Sequence, residues 1–175
     1  MDNELLDLRQ FIRDIPDFPK PGILFRDITP LLADARALAC AIEQLTKPFQ
    51  GAGIDVVAAV EARGFIFGSA VAKALGAGFV PIRKQGKLPF DTHSVSYGLE
   101  YGTDSVEVHT DAVKPGNKVL MVDDLLATGG TMAAACELVE KVGGDILGIT
   151  CLIELTELQG REKLSPYDIH TVISY

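Results

Sequence analysis

Two adjacent acidic residues, Asp123 and Asp124, directly follow an apolar run at 119–122 and precede a loop of small residues. Ligands of a parallel sheet bind beyond the carboxyl ends of its strands, so both carboxylates would lie at the mouth of a site and could accept hydrogen bonds from a vicinal diol. The N–H groups and hydroxyls of the loop, at a helix N-terminus, could bind a phosphate. The segment therefore predicts a site for a phosphorylated diol. The loop consists of Ala127, Thr128, Gly129, Gly130 and Thr131.

Two better-known nucleotide-binding patterns do not occur in the sequence. No G-x-x-x-x-G-K-[ST] segment, the Walker A loop, is present. The glycines at 51 and 53 lack the third glycine of a dinucleotide fingerprint, and they precede a strand pattern rather than follow one. An ATPase and a nicotinamide-dependent dehydrogenase are therefore disfavoured.

Composition excludes several other classes of protein. The chain has 175 residues, with 16 Lys and Arg against 24 Asp and Glu, so its formal net charge is −8. An acidic excess of this size disfavours binding to nucleic acid or to an anionic membrane surface. The 47% hydrophobic and 23% charged residues are typical of one globular domain. Three widely spaced cysteines without a C-x-x-C pair, and the absence of a leader or apolar span, favour a reduced cytoplasmic protein.

Alternating strand and helix patterns would position the site. Buried strands are predicted at 56–60, 79–82, 119–122 and 146–153, with a last strand at 169–174. Helices are predicted at about 3–13, 34–45, 65–75, 131–142 and 155–164. This order indicates an α/β fold, a central parallel sheet flanked by helices. The polar interval 84–110 contains two alternating segments, 94–99 and 105–109, and predicts a long mobile loop leading into an antiparallel hairpin.

The stretch from Asp123 to Thr131 resembles the signature of the type I phosphoribosyltransferases, which bind 5-phosphoribosyl-1-pyrophosphate. Further segments, in order over nearly the whole chain, resemble the members of that family that act on adenine; they lie at 18–27, 62–68, 82–89, 96–102 and 157–161. The resemblance implies the type I phosphoribosyltransferase fold with a small N-terminal hood. It implies a helix and hood at 1–33 on the adenine side and a core at 34–175 that includes the mobile loop, in one structural domain overall.

The resemblance also implies a reaction. The 5-phosphoribosyl group would pass from 5-phosphoribosyl-1-pyrophosphate to adenine, giving AMP and pyrophosphate in purine salvage. Asp123 and Asp124 would hold the ribose hydroxyls, and the loop at 127–131 would hold the 5′-phosphate. Pyrophosphate would be bound by the turn Glu61, Ala62 and Arg63, with a cis peptide between Glu61 and Ala62, and by the basic residues Arg83, Lys84 and Lys87.

The remaining roles concern the base, the metal and the assembly. Glu100 would handle the proton of adenine as the catalytic residue, with Tyr101 beside it on the loop. Mg²⁺ would be held mainly by substrate oxygens and water, as this hard ion prefers. The three histidines show no metal-ligand spacing. The resemblance implies a homodimer in which Arg83 reaches the site of the neighbouring subunit. The adenine pocket would be formed by Leu24, Phe25, Arg63 and Leu125.

Two alternatives remain open at this point. The base could be hypoxanthine, guanine or xanthine, since base choice depends on few pocket contacts; the hood segment 18–27 argues against this. A non-enzymatic purine-sensing regulator could also keep the same fold. The net charge of −8 and the lysines at 84 and 87 argue against a regulator that binds nucleic acid.

Overall fold

Strands and helices alternate over most of the chain, and the structure, a computed structural model, describes residues 6–98 and 103–175. The strands are β1 (Arg13–Pro16), β2 (Leu24–Asp27), β3 (Val56–Val60), β4 (Gly78–Lys84), β5 (Thr92–Gly98), β6 (Thr103–His109), β7 (Lys118–Leu126), β8 (Asp145–Glu154) and β9 (Ile169–Ser174). The α-helices are α1 (Thr29–Ala33), α2 (Ala35–Thr46), α3 (Gly64–Leu75) and α4 (Gly130–Lys141). Short 3₁₀ helices cover Leu8–Phe11, Lys47–Phe49, Thr156–Leu158 and Gly160–Leu164.

The chain divides into two compact units, of which the first ends at Gln44 and the second is Leu45–Tyr175. In the first unit, β1 and β2 pair antiparallel, with Ile15 opposite Phe25. The helix predicted over 3–13 is wrong in its described part, where a 3₁₀ helix ends at Phe11 and Arg13 begins β1. Pairing with β2 overrides the helical spacing of the apolar residues, since tertiary contacts outweigh a weak local preference.

The second unit is built on a seven-stranded sheet in the order β5-β6-β4-β3-β7-β8-β9. The strands β4, β3, β7, β8 and β9 run parallel to one another. The strands β5 and β6 form an antiparallel hairpin, and β6 also pairs antiparallel with β4. The predicted parallel sheet and hairpin are both confirmed. The segment between β4 and β5 is shorter than the predicted loop, because residues 92–98 pair with 103–109.

Helices α3 and α4 cover opposite faces of this sheet. Ala58 and Val60 of β3 are buried in one apolar cluster with α4 residues such as Leu138. Ala59 points to the other face, where a Cβ on Gly68 of α3 would lie only 2.7 Å from the Ala59 Cβ. Successive side chains of a strand alternate between the faces, so both faces of the sheet are covered by helices, as predicted.

The ends of the helices follow local sequence signals. Asp34 accepts hydrogen bonds from the N–H groups of Arg36 and Ala37 at 2.9 and 2.8 Å, so it caps α2 as predicted. Gly76 ends α3 in the left-handed region, with φ of 70°. The helix predicted at 155–164 is wrong: the chain forms two 3₁₀ helices, separated by Gln159 at a φ of 52°. In the described part of the chain, no helix is both long and apolar enough to cross a membrane.

Candidate active site

A cavity of about 350 Å³ opens where the parallel strands β3 and β7 separate at their carboxyl ends. The last residue of β7 paired with β3 is Val122, opposite Ala59, although β7 itself continues along β8 to Leu126. Sheet order therefore brings two distant segments to one site, the turn after β3 and the end of β7. The lining includes Glu61, Ala62 and Arg63, together with Asp123, Asp124, Leu125, Ala127, Thr128, Gly129, Gly130 and Thr131.

Asp123 and Asp124, hereafter the carboxylate pair, lie side by side at the floor of this cavity. Asp124 is only 5% exposed, and its backbone N–H donates to Oδ1 of Asp123 at 2.9 Å. A Cβ on Gly64 would lie 2.7 Å from the same oxygen, so this glycine lets the start of α3 approach the pair. Burial first, and the neighbouring Asp124 second, raise the pKa of Asp123 well above its usual range.

Arg63 provides the positive charge nearest to the pair. Its Nε lies 2.7 Å from Oδ2 of Asp124, and 39% of the arginine side chain is exposed against 7% of the aspartate side chain. Burial raises the pKa of Asp124, and the guanidinium of Arg63 opposes that rise. Arg63 therefore lines the cavity beside the carboxylate pair.

The small-residue loop, defined as residues 127–131, leads into α4. Gly129 is the residue before the helix and has a φ of 77°, which favours glycine. Its carbonyl accepts from the N–H of Ala133 at 2.9 Å, so the helix begins at Gly130. The first N–H groups of a helix have no partner within it, and α4 has no acidic residue in its first turn. This end of the cavity is therefore suited to an anion.

Glu61 gathers the basic residues that the sequence singled out, Arg83, Lys84 and Lys87, hereafter the cation cluster. Its Oε2 lies 3.1 Å from Nη2 of Arg83 and 3.3 Å from Nζ of Lys87. Its Oε1 accepts from the backbone N–H of Lys84 at 2.7 Å. Burial alone would raise the pKa of Glu61, but these hydrogen bonds outweigh it and lower that pKa. Glu61 is thus an anchor for cations at the edge of the cavity.

Acidic residues of β6, which sequence reasoning missed, hold the rest of the cluster. Nζ of Lys84 lies 2.7 Å from Oδ2 of Asp104, and this contact raises the pKa of Lys84 and lowers that of Asp104. Glu107 is 4% exposed and accepts from the N–H of Lys87 at 3.1 Å. Only Glu107 lies in the alternating segment 105–109, and that local signal does not reveal which loop it contacts.

Two further residues of the predicted adenine pocket belong to the first unit. Leu24 and Phe25 are on β2 in the first unit, where the Phe25 ring packs edge-on against Phe18 with centroids 5.1 Å apart. Glu100 and Tyr101 lie outside the described residues. The peptide bond between Glu61 and Ala62 is cis, as the resemblance implied.

Comparison with known proteins identifies the class of this fold and site. Residues 27–173 match the model of the phosphoribosyl transferase domain. The chain belongs to the phosphoribosyltransferase family.

Within the family, the similarity is to enzymes of one specificity. The adenine phosphoribosyltransferase of Rhodopirellula baltica is 60% identical over 97% of this chain and 82% of its own length. The crystal structure of adenine phosphoribosyltransferase from Thermoanaerobacter pseudethanolicus is 56% identical, with a TM-score of 0.95 over 98% of this chain and 99% of that chain. The enzyme from Saccharomyces cerevisiae, crystallised with D-2,5-dideoxy-2,5-imino-altritol 1,6-bisphosphate and adenine, is 39% identical, with a TM-score of 0.91 over 96% and 97% of the two chains.

Proposed function

We propose that this chain transfers the 5-phosphoribosyl group of 5-phosphoribosyl-1-pyrophosphate to adenine, giving AMP and pyrophosphate. The observation that carries the proposal is one cavity lined by the carboxylate pair, the small-residue loop and Glu61. The carboxylate of Glu61 in turn contacts Arg83 and Lys87. A diol, a phosphate and a pyrophosphate each need one of these groups, and one substrate contains all three. The 60% identity to an adenine phosphoribosyltransferase supports adenine as the acceptor.

The sugar phosphate would bind along the segment 123–131, with the carboxylate pair at one end and the small-residue loop at the other. The small-residue loop donates backbone and hydroxyl hydrogen bonds to the 5′-phosphate at the start of α4. The carboxylate pair accepts hydrogen bonds from the ribose 2- and 3-hydroxyls. Holding the ribose at both ends fixes the anomeric carbon for in-line attack, so positioning supplies much of the rate.

The chemical step is a displacement at the anomeric carbon. The bond from this carbon to the pyrophosphate oxygen breaks with its electron pair, and a ring nitrogen of adenine forms the new bond and loses its proton. Positive charge develops on the ribose ring, where the nearby carboxylate pair stabilises it. We assign the proton to Glu100, with Tyr101 beside it, on the strength of the resemblance.

The leaving group carries most of the negative charge and needs cations. The cation cluster and Arg63 supply these from the protein. Mg²⁺ bound to the substrate would neutralise pyrophosphate further as it departs. The protein donors fit an ion held by substrate and water: Asp124 is paired with Arg63, and within residues 6–98 and 103–175 no group of acids, histidines and cysteines forms a metal cage.

The base pocket, the assembly and the location complete the proposal. Leu125 and Arg63 line the cavity, and both would face the adenine ring, as the resemblance implies. As the resemblance implies, the chain would act as a homodimer in which Arg83, whose side chain is 35% exposed, extends to the partner's site. Free cysteines suit a reducing cytoplasm.

An assay against single bases tests the function. The chain is incubated with Mg²⁺, 5-phosphoribosyl-1-pyrophosphate and either adenine, hypoxanthine, guanine or xanthine, and the nucleotide product is measured by chromatography. We expect AMP from adenine and little product from the others, because a pocket built for one set of ring hydrogen bonds rejects bases that leave them unpaired. Product from hypoxanthine or guanine without AMP would overturn the base assignment, and no product from any base would overturn the activity.

Replacement of Glu61 tests its contact with the cation cluster. Glu61→Gln keeps an acceptor for the Lys84 N–H but removes the charge that pyrophosphate must displace from Arg83 and Lys87. We expect the inhibition constant for pyrophosphate to fall about threefold to tenfold at low salt, an effect of the size of a partly exposed ion pair. The change is measured as product inhibition at two salt concentrations.

Glu137→Gln is the matched control for this prediction, because Glu137 is an exposed acid on α4. It removes the same charge and should leave pyrophosphate inhibition unchanged. Weaker inhibition in Glu61→Gln than in the control would mean that Glu61 organises the cations for the ligand rather than competing with it.

A further inference from the structure

We propose that Arg161 is a positioning residue for the small-residue loop, acting through Gly160, and that it sets the affinity for the 5′-phosphate end of the substrate. The inference rests on the proposed function. Sequence reasoning found the segment 157–161 only as part of a resemblance and gave it no role.

Gly160 supports the loop from beneath by direct backbone contact. A Cβ on Gly160 would collide with the carbonyl oxygen of Ala127 and would lie 3.1 Å from the backbone nitrogen of Gly129. A Cβ on Gly129 would in turn collide with the carbonyl oxygen of Gly160. The two glycine backbones therefore leave no room for a side chain between them, and a movement of Gly160 must move the loop or break the contact.

The position of Gly160 is fixed by its neighbour. The guanidinium of Arg161 makes two parallel hydrogen bonds to the carboxylate of Glu154, at 2.7 and 2.8 Å. It also donates to the carbonyl of Ile169 at 3.0 Å and to the hydroxyl of Thr171 at 3.1 Å. These partners lie on β8 and β9, so one side chain ties the segment that contains Gly160 to two strands of the sheet.

The carboxylate of Glu154 is buried and hydrogen-bonded where Arg161 contacts it. Glu154 is the last residue of β8 and only 5% exposed, and the hydroxyl of Thr171 donates to its Oε2 at 3.0 Å. The hydrogen bond from Arg161 lowers the pKa of Glu154, which keeps it ionised at neutral pH. The planar guanidinium of arginine can donate two parallel hydrogen bonds to one carboxylate, which the ammonium group of lysine cannot do.

A positioning role and a purely structural role of Arg161 would affect the binding of different ligands. The contacts of Gly160 are with Ala127 and Gly129, whereas the cation cluster is held by Glu61 and acids of β6. Loss of Arg161 should therefore weaken ligands that carry the sugar phosphate and spare pyrophosphate. A general loss of stability would weaken both ligands equally or neither of them.

The experiment compares Arg161→Met and Arg161→Lys with Lys163→Met, which removes an exposed positive charge from the same 3₁₀ helix. Binding of ribose 5-phosphate and of pyrophosphate to each full-length variant is measured by titration calorimetry, and folding is checked by thermal unfolding. We expect Arg161→Met to bind ribose 5-phosphate at least about tenfold more weakly, since small misplacements of a binding group have large effects. Arg161→Lys should recover only part of this loss, and pyrophosphate binding should stay within twofold, or about 0.4 kcal/mol, of wild type.

The outcomes separate this inference from the function on which it rests. Wild-type protein that binds ribose 5-phosphate while both Arg161 variants bind it equally well would overturn the positioning role alone. Equal losses for both ligands in Arg161→Lys, the variant that keeps the charge, would also overturn it. Wild-type protein that binds neither ligand and makes no AMP would overturn the proposed function instead.

Discussion

Gly129→Ala is expected to lower kcat/KM for 5-phosphoribosyl-1-pyrophosphate about a hundredfold or more. Alanine is strained at the φ of 77° that Gly129 adopts, and its Cβ would collide with the carbonyl of Gly160. Gly129 cannot move away without displacing the small-residue loop, and Gly160 precedes Arg161, which is bonded to Glu154. We expect the free energy of unfolding to fall by about 2–4 kcal/mol, the range of a strained and overpacked site. Steady-state kinetics and denaturant unfolding measure the two effects.

Gly116→Ala is the control that separates backbone strain from the steric collision of a new Cβ. Gly116 has a φ of 81°, and a Cβ there would meet nothing within 4 Å. It should therefore show only the smaller conformational cost, about 1 kcal/mol, with kcat/KM unchanged. A Gly129→Ala enzyme that kept the KM of the Gly116→Ala enzyme for 5-phosphoribosyl-1-pyrophosphate would contradict the placement of the phosphate at this loop.

Local pattern was sufficient for the elements that carry the site. The run at 56–60 corresponds to the observed β3, because continuous β-branched and apolar residues between polar segments favour a buried parallel strand. The predicted strand at 169–174 corresponds to β9. Asp123 and Asp124 could be placed at a strand's carboxyl end for the same reason. The strand nevertheless continues to Leu126, since β8 supplies a partner after β3 has diverged.

Long-range contacts had no such local signal. The contacts of Glu61 with Arg83 and Lys87 join residues more than 20 positions apart and depend on β3 lying beside β4. Likewise, the contact of Gly160 with the small-residue loop depends on where β8 delivers the chain after Glu154. Helical spacing also failed at 155–164, where a 3₁₀ turn keeps Gly160 against the loop and Arg161 against the sheet.

The acidic net charge and the polyanionic substrate are compatible because charge acts locally in this site. The chain carries −8 overall, yet Glu61 is the anchor of Arg83 and Lys87, and Asp124 is paired with Arg63. Each cation at the cavity is thus held by a carboxylate before the substrate arrives. The substrate can exchange with these carboxylates one contact at a time, so the cations are positioned without being left unpaired.

Asp123→Asn is expected to stabilise the fold while removing most activity. Burial and the neighbouring Asp124 raise the pKa of Asp123, so its ionised form is costly in the folded protein at neutral pH. Asparagine keeps an oxygen for the Asp124 N–H without the charge. We expect the free energy of unfolding at pH 7 to rise by about 1–2 kcal/mol. Loss of a ribose contact should lower kcat/KM about a hundredfold to a thousandfold.

The stability gained in Asp123→Asn is expected to depend on pH. A carboxyl whose folded pKa exceeds the unfolded value of about 3.9 destabilises the fold above the folded pKa, and protonation relieves that cost as the pH falls through it. The advantage of Asp123→Asn should therefore be largest at neutral pH and disappear near pH 4, when denaturant unfolding is compared across this range. Asp111→Asn, at an exposed position, should show no such trend. Loss of stability in Asp123→Asn at pH 7 would mean that Asp124 and Arg63 need the Asp123 charge, and the carboxylate pair would then act as one ion network with Arg63.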